Sequence, residues 1–203
     1  MILFNRKNGI IFGSLSWIIA FCLFTIAIGL YISVDPYYSI FSHHLSDLGV
    51  GKNYSNVIFI IGLAFTEVFQ IPFYLSIGIA LKQNKSNFNL IKIAMGASLI
   101  STLSLILVIP LLPDLGNPIC YTMHGILGFI HFIAMAIAYT FYSIIELSNP
   151  RISKIFGFVS IYSALFYSLT IIFFTIHIIY WLAISGIFLW VFMHTLFLIR
   201  TKE

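Results

Sequence analysis

Apolar residues in this chain come in long, unbroken runs. Six are apparent, near residues 10–33, 56–81, 90–112, 119–147, 152–175 and 178–199. Each is close to the roughly 20 residues a helix needs to cross a hydrocarbon core about 30 Å thick. Continuous runs, rather than alternation of apolar and polar positions, predict helices and not barrel strands. The runs consume most of the 203 residues. The expected fold is therefore an all-α polytopic bundle of six transmembrane helices, one domain over residues 1–203. The first run is about 24 residues, longer than the apolar core of a secretory signal, and reads as an uncleaved first helix.

The polar positions fall in the gaps. Arg6, Lys7, Lys82, Lys85, Lys92, Arg151, Lys154, Arg200 and Lys202 all lie at one side of the alternating spans, and only Lys52 lies at the other. Cations collect in cytoplasmic loops. Both termini are thus expected in the cytoplasm, and the formal charge of +4 reports topology. No basic groove with interleaved aromatics points to nucleic acid. Composition agrees: 61% of residues are hydrophobic and 8% charged, where a soluble domain carries about 25% charged residues. The plasma membrane of a prokaryote is the expected location.

Most connections are short. Residues 34–55 form an outer segment long enough to be functional. Its Tyr37, Tyr38 and Phe41 suit the membrane interface. Its Ile40–Leu48 part suggests a short helix lying on the membrane, and Asp47-Leu48-Gly49 a turn with Gly49 at positive φ. Ser46-Asp47-Leu48-Gly49 and Pro113-Asp114-Leu115-Gly116 share an Asp-Leu-Gly core in front of helices two and four, which reads either as an internal repeat or as two independent turns.

Within the spans, Gly9-x-x-x-Gly13, Ala134-x-x-x-Ala138 and Ser160-x-x-x-Ala164-x-x-x-Ser168 permit close helix approach. Pro72 is expected to kink helix two, and Pro110 and Pro113 to end helix three. Cys22 and Cys120 lie at different depths and are expected to be free thiols. Trp181 and Trp190 read as anchors or packing groups.

The candidate chemistry lies at the outer face and in mid-membrane. Glu67 is roughly 16 Å into helix two, counting 1.5 Å per residue. A carboxyl there must be protonated, paired or in a wet cavity. Gln70 and Tyr74 share its face, Thr66 adjoins it, and His131 on helix four matches its depth, so a Glu67–His131 pair is possible. His124 and His131 lie seven apart on one face. His124 approaches Asp114 and Asp47, which predicts a polar outer cluster. Asp47 and Asp114 there would cap helices two and four. The same cluster with His43 could hold zinc, although the spacing is not that of a known zinc site. With Ser46 it could be a Ser/His/Asp arrangement, Asp114 orienting His124. His43 and His44 are adjacent and poorly placed to share one metal. His177 and His194 offer no depth-matched haem pair except His124 with His177. No cofactor is named by the pattern.

The chain resembles the six-span prokaryotic membrane proteins grouped as domain-of-unknown-function family 998. The likeness rests on Leu45-Ser46-Asp47-Leu48-Gly49 leading into a helix with Asn56 and Gly62. It rests also on Pro110-Leu111-Leu112-Pro113-Asp114 followed by His124-Gly125. A more distant similarity is to the autophagy-modulator and glycosylphosphatidylinositol-remodelling membrane proteins, which share the six-span layout and an outer Ser-Asp-x-Gly turn. The resemblance implies lipid handling, and the matching positions are Ser46, Asp47, Asp114 and His124.

Three readings follow. In the first, helices two and four line an outer pocket for a lipid or polar headgroup, with Ser46, Glu67, Gln70 and His131 as binding residues and Glu67 and His131 at its floor. In the second, an intramembrane lipid hydrolase or acyl transferase uses Asp47, Asp114 and His124, with or without a metal. In the third, a proton or small solute passes Glu67 and His131. Membrane lipid is the expected partner, and so few helices would make a transporter a homo-oligomer.

Overall fold

The computed structural model describes residues 5–200; Lys202, counted above among the cations, lies outside them. Six helices span Arg6–Ile32 (α1), Ser55–Gln83 (α2), Phe88–Val108 (α3), Pro118–Ser148 (α4), Lys154–Ile172 (α5) and His177–Arg200 (α6). Each belongs to a segment long and apolar enough to cross a membrane. The chain is an all-helical, six-span integral membrane protein. Among the described residues there is no strand, as expected where each backbone polar group must find a partner within its own segment.

Asparagines start three of the helices. Asn5, Asn87 and Asn117 accept first-turn N–H groups of α1, α3 and α4, satisfying donors that have no intrahelical acceptor. Pro110 and Pro113 do end helix three. The backbone tightens after Val108 into a 3-10 turn, Ile109–Asp114, because a proline nitrogen cannot donate to the preceding turn.

The helices form a ring in chain order. Each packs on the next, and α6 returns to α1. Small residues set the close approaches. A Cβ on Gly9 or Gly13 would collide with Ser76 and Phe73 of α2 and with Leu198 and Thr195 of α6. Gly186 of α6 lies against Ser163 of α5, whose hydroxyl donates to the Gly186 carbonyl at 3.0 Å. Arg6 closes the ring at its cation-rich end: Nε and Nη2 donate to the last-turn carbonyls Leu198 and Ile199 at 2.6 and 2.8 Å. Lys154 donates to the Leu147 carbonyl at the end of α4. Asn149 ties the α4–α5 turn to the α2–α3 turn through the Asn84 carbonyl and Ser86 hydroxyl. Lys82 and Lys92 both sit over the Phe88 ring.

The two halves of the ring are filled differently. In the cation-rich half, Trp190 is fully buried, with Phe73, Tyr74, Tyr139 and Tyr142 around it at ring separations of 5.0–6.1 Å. It is a core residue, not an interfacial anchor. Below it lies a buried pair that counting along the chain missed. Glu146 Oε1 meets His194 Nε2 at 2.6 Å, and Glu146 Oε2 accepts from Ser160 at 2.7 Å. Trp190 Nε1 donates to the Ser160 oxygen. His194 Nδ1 faces the Trp190 carbonyl at 2.9 Å. A carbonyl only accepts, so Nδ1 carries a proton. One further proton is then shared between Nε2 and the carboxyl, and the pair is neutral whichever atom holds it.

The other end, opposite the cations, is covered by residues 34–55. Tyr37 and Phe41 are exposed as expected of interfacial aromatics. The helical part is shorter and deeper than the sequence suggests: a 3-10 turn, Leu45–Val50, with Leu45 and Leu48 buried. It is folded into the bundle and does not lie on its surface. Gly49 does not take positive φ; Asn53 and Tyr54 do. Gly49 is instead a contact residue, since a Cβ there would press on Leu112 of the second 3-10 turn at 3.0 Å. Tertiary packing, not turn conformation, demands the glycine.

Candidate functional site

In the half opposite the cations the ring encloses a cavity of about 680 Å³. Its mouth carries His44, Ser46, Asp47 and His124; its depth carries Thr66, Glu67, Gln70, His131 and Tyr167. Between them the wall is apolar, with Phe24, Phe59, Leu63, Val108, Leu112 and Phe188. His124 and His131 both line it. Seven residues at 1.5 Å rise separate mouth from floor by about 10 Å. The walls come from all six helices, not from α2 and α4 alone.

The mouth is built on the 3-10 turn. Asp47 Oδ2 accepts the His44 N–H at 2.8 Å, closing its own turn. Asp47 therefore does not cap α2, which begins at Tyr54 without a side-chain cap. Nor does Asp114 cap α4, because Asn117 holds that position. Trp181 Nε1 donates to the His43 carbonyl at 2.9 Å, fastening the segment to α6. The His43 ring packs on Tyr38 and bonds Ser42. The His44 ring turns the other way, onto Phe174, His177 and Tyr180. Burial, and then the neighbouring His177, hold the His44 imidazole below its ordinary pKa. His124 Nδ1 is buried without a hydrogen-bond partner.

Of the residues the sequence singles out, Ser46, Asp47, His44, Glu67, Gln70, His124 and His131 all reach the cavity. Asp114 stands apart. It is exposed, off the cavity wall, and accepts a weak bond from Cys120 Sγ at 3.8 Å. The four candidate metal ligands His43, Asp47, Asp114 and His124 are not gathered, and no group of three His, Cys, Asp or Glu suited to an ion occurs among the described residues. The Asp47 and Asp114 turns also differ in environment: Gly49 is packed and Gly116 is in open space.

The floor is polar and buried. Glu67 is 3% exposed, with the Thr102 side chain beside its carboxyl. His131 does not pair with Glu67; its Nδ1 meets Ser101 Oγ at 2.7 Å. The adjacent α3 residues Ser101 and Thr102 thus lie one beside each group. The Tyr74 hydroxyl donates to Gln70 Oε1 at 2.7 Å. Tyr167, which the sequence does not flag, is fully buried, lines the floor, and has no partner for its hydroxyl.

The cavity also reaches the side of the bundle. Gly128 to Phe132 line it without a break. Five consecutive helical residues cover every face of a helix, so the cavity passes around α4. Phe129 and Ile130 are both lining and exposed. Gly125 and Gly128 have no atom within 4 Å of a built Cβ, leaving this part of α4 slender. Compared with protein-family models, curated proteins and solved structures, the chain matches none.

Proposed function

We propose that this protein binds a membrane amphiphile in the ring cavity. The apolar part is held by the Phe24, Phe59 and Leu63 wall, and polar groups are met at the Asp47–His124 mouth or at the floor. The observation that carries this is an apolar-walled cavity with polar ends that passes around α4 toward the lipid-facing surface. Pockets of this size, mostly apolar with a few convergent polar groups, are the usual form of small-molecule sites. A side opening admits a ligand from the bilayer without a passage through water.

The cation asymmetry supports a mouth on the outer leaflet side and both termini in the cytoplasm. The same reading makes it a prokaryotic plasma-membrane protein that handles lipid. Fold-level likeness transfers no catalytic role.

The test is native mass spectrometry of protein purified in mild detergent. Gly125→Phe and Gly128→Phe place a ring where a Cβ meets no atom, so the fold is retained while the cavity is obstructed. Wild type is expected to carry a bound amphiphile that both variants lose. Equal bound mass in all three would refute the reading.

A further inference from the structure

The Glu67 carboxyl and the acceptors around it bear on what the cavity floor takes. Three of its hydroxyls have already given their protons to the main chain. Ser16 donates to the Thr66 carbonyl, Thr66 to the Gly62 carbonyl at 2.7 Å, and Thr170 to the Phe166 carbonyl at 2.8 Å. A hydroxyl has one proton, so these three oxygens offer only lone pairs to the cavity. Gln70 Oε1 takes the Tyr74 proton and keeps a second lone pair. The Glu67 carboxyl adds acceptors, while the Gln70 NH2, the Tyr167 hydroxyl and a His131 ring nitrogen can still donate. Among the described residues no Lys or Arg lines the cavity.

Glu67 brings a buried carboxyl to this floor with no cationic side chain among the lining residues, and an anion beside it would be repelled. An acceptor-rich set around a carboxyl matches a group that donates and carries positive charge. An ammonium has three N–H bonds and no acceptor, and aromatic faces such as those of Phe132 and Tyr167 also favour cations. We infer that the floor around Glu67, Thr66, Gln70 and Tyr167 is a subsite for a primary alkylammonium, the amine of an amphiphile whose chain lies along the apolar wall. This rests on the amphiphile reading above and adds the chemical class of the ligand. Glu67 then has its counter-ion in the ligand. Glu146, at the other end of the bundle, has His194 built in.

The experiment compares three probes of one chain length, dodecylamine, dodecanol and dodecanoate, by competition and thermal shift on the detergent-purified full chain. Wild type is expected to bind the amine about tenfold or more tighter than either comparator, the scale of one desolvated charge contact. Glu67→Gln, nearly isosteric, should reduce that preference to about twofold or less. Tyr167→Phe removes an unpartnered oxygen and should weaken amine binding alone. Lipids extracted with the protein identify the source. An amine-bearing lipid retained by wild type and lost in Glu67→Gln points to a membrane lipid. Binding of added dodecylamine without such a lipid points to a free amine. Both support the subsite. Equal affinity for the three probes, or a preference unchanged in Glu67→Gln, overturns it while leaving amphiphile binding intact. Retention of a native lipid that bears no amine, with no binding of dodecylamine, also overturns it. If no probe binds and Gly125→Phe changes no bound mass, both readings fall.

Discussion

Glu67 and Glu146 are both buried inside apolar helices, yet the protein surrounds them differently. Glu146 has each carboxyl oxygen engaged, one by His194 and one by Ser160, and the Trp190 ring stacks over the imidazole at 3.8 Å. Glu67 has the Thr102 side chain and a cavity. A buried carboxyl with a complete set of partners is a fastening between helices. One with an incomplete set is a cost that folding alone does not explain. The same contrast holds for the two halves. The cation-rich half is packed with aromatic rings and tied by Arg6, Lys154 and Asn149. The opposite half is walled around a cavity and capped by irregular turns; unpartnered buried atoms occur in both halves, at Tyr139 and Tyr142 beside Trp190 and at His124 and Tyr167 on the cavity. On the proposed reading, stability is expected to be concentrated in the first half and the second to serve a ligand, in line with the usual opposition between stability and function.

The largest effect is expected in the packed half. His194→Ala strips Glu146 of its base and leaves a buried carboxyl short of a partner. A loss of about 3–5 kcal/mol is expected, read as a large fall in thermal unfolding temperature. A loss close to zero would make the pair incidental.

A smaller effect is expected at the mouth, from pH. The folded-state pKa of His44 lies below its ordinary value of 6.5. The unfolded segment therefore binds a proton at higher pH than the folded one. The contribution of neutral His44 is full above about 6.5 and is lost as pH falls through the lowered folded value. Hydrogen exchange over residues 34–55 should accelerate on acidification, and His44→Phe, which keeps the ring packing, should remove that dependence. Acceleration unchanged in the variant would assign it to another group.

The smallest effect is expected at Tyr167. Its hydroxyl has no partner, so Tyr167→Phe should leave stability within about 0.5 kcal/mol of wild type or raise it. A loss above about 1 kcal/mol would mean that the hydroxyl is held by the fold, and the floor would be scaffold.

The six spans were legible because lipid as solvent leaves a coarse and repetitive signal. The depth of Glu67 and His131 was legible by the same counting, and both do reach the cavity floor. Their neighbours were not, since Ser101 and Thr102 belong to a third helix. Glu146 was missed for a related reason. It lies two residues from the end of α4 and His194 six from the end of α6, so counting rise from the helix ends puts them about 3 and 9 Å deep. That counting assumes helix ends in one plane, and α4, with 31 residues, outruns the others. Gly49 was read as a turn residue because glycine in a polar loop usually is one. Its actual constraint, the approach of Leu112, comes from a segment some sixty residues away along the chain. Asp114 was placed with Asp47 by sequence likeness, which carries no information on which way each turn faces.

Thermal unfolding of Glu67→Leu beside Glu146→Leu, each in detergent-exchanged protein freed of bound amphiphile, separates a scaffold half from a binding half. Glu146→Leu is predicted to lose about 3 kcal/mol or more, because His194 Nε2 and the Ser160 proton each lose their buried partner. Glu67→Leu is predicted to hold or gain stability by about 1 kcal/mol, as an incompletely satisfied buried carboxyl is removed. Equal losses in the two variants would contradict the division of this bundle into a scaffold half and a binding half.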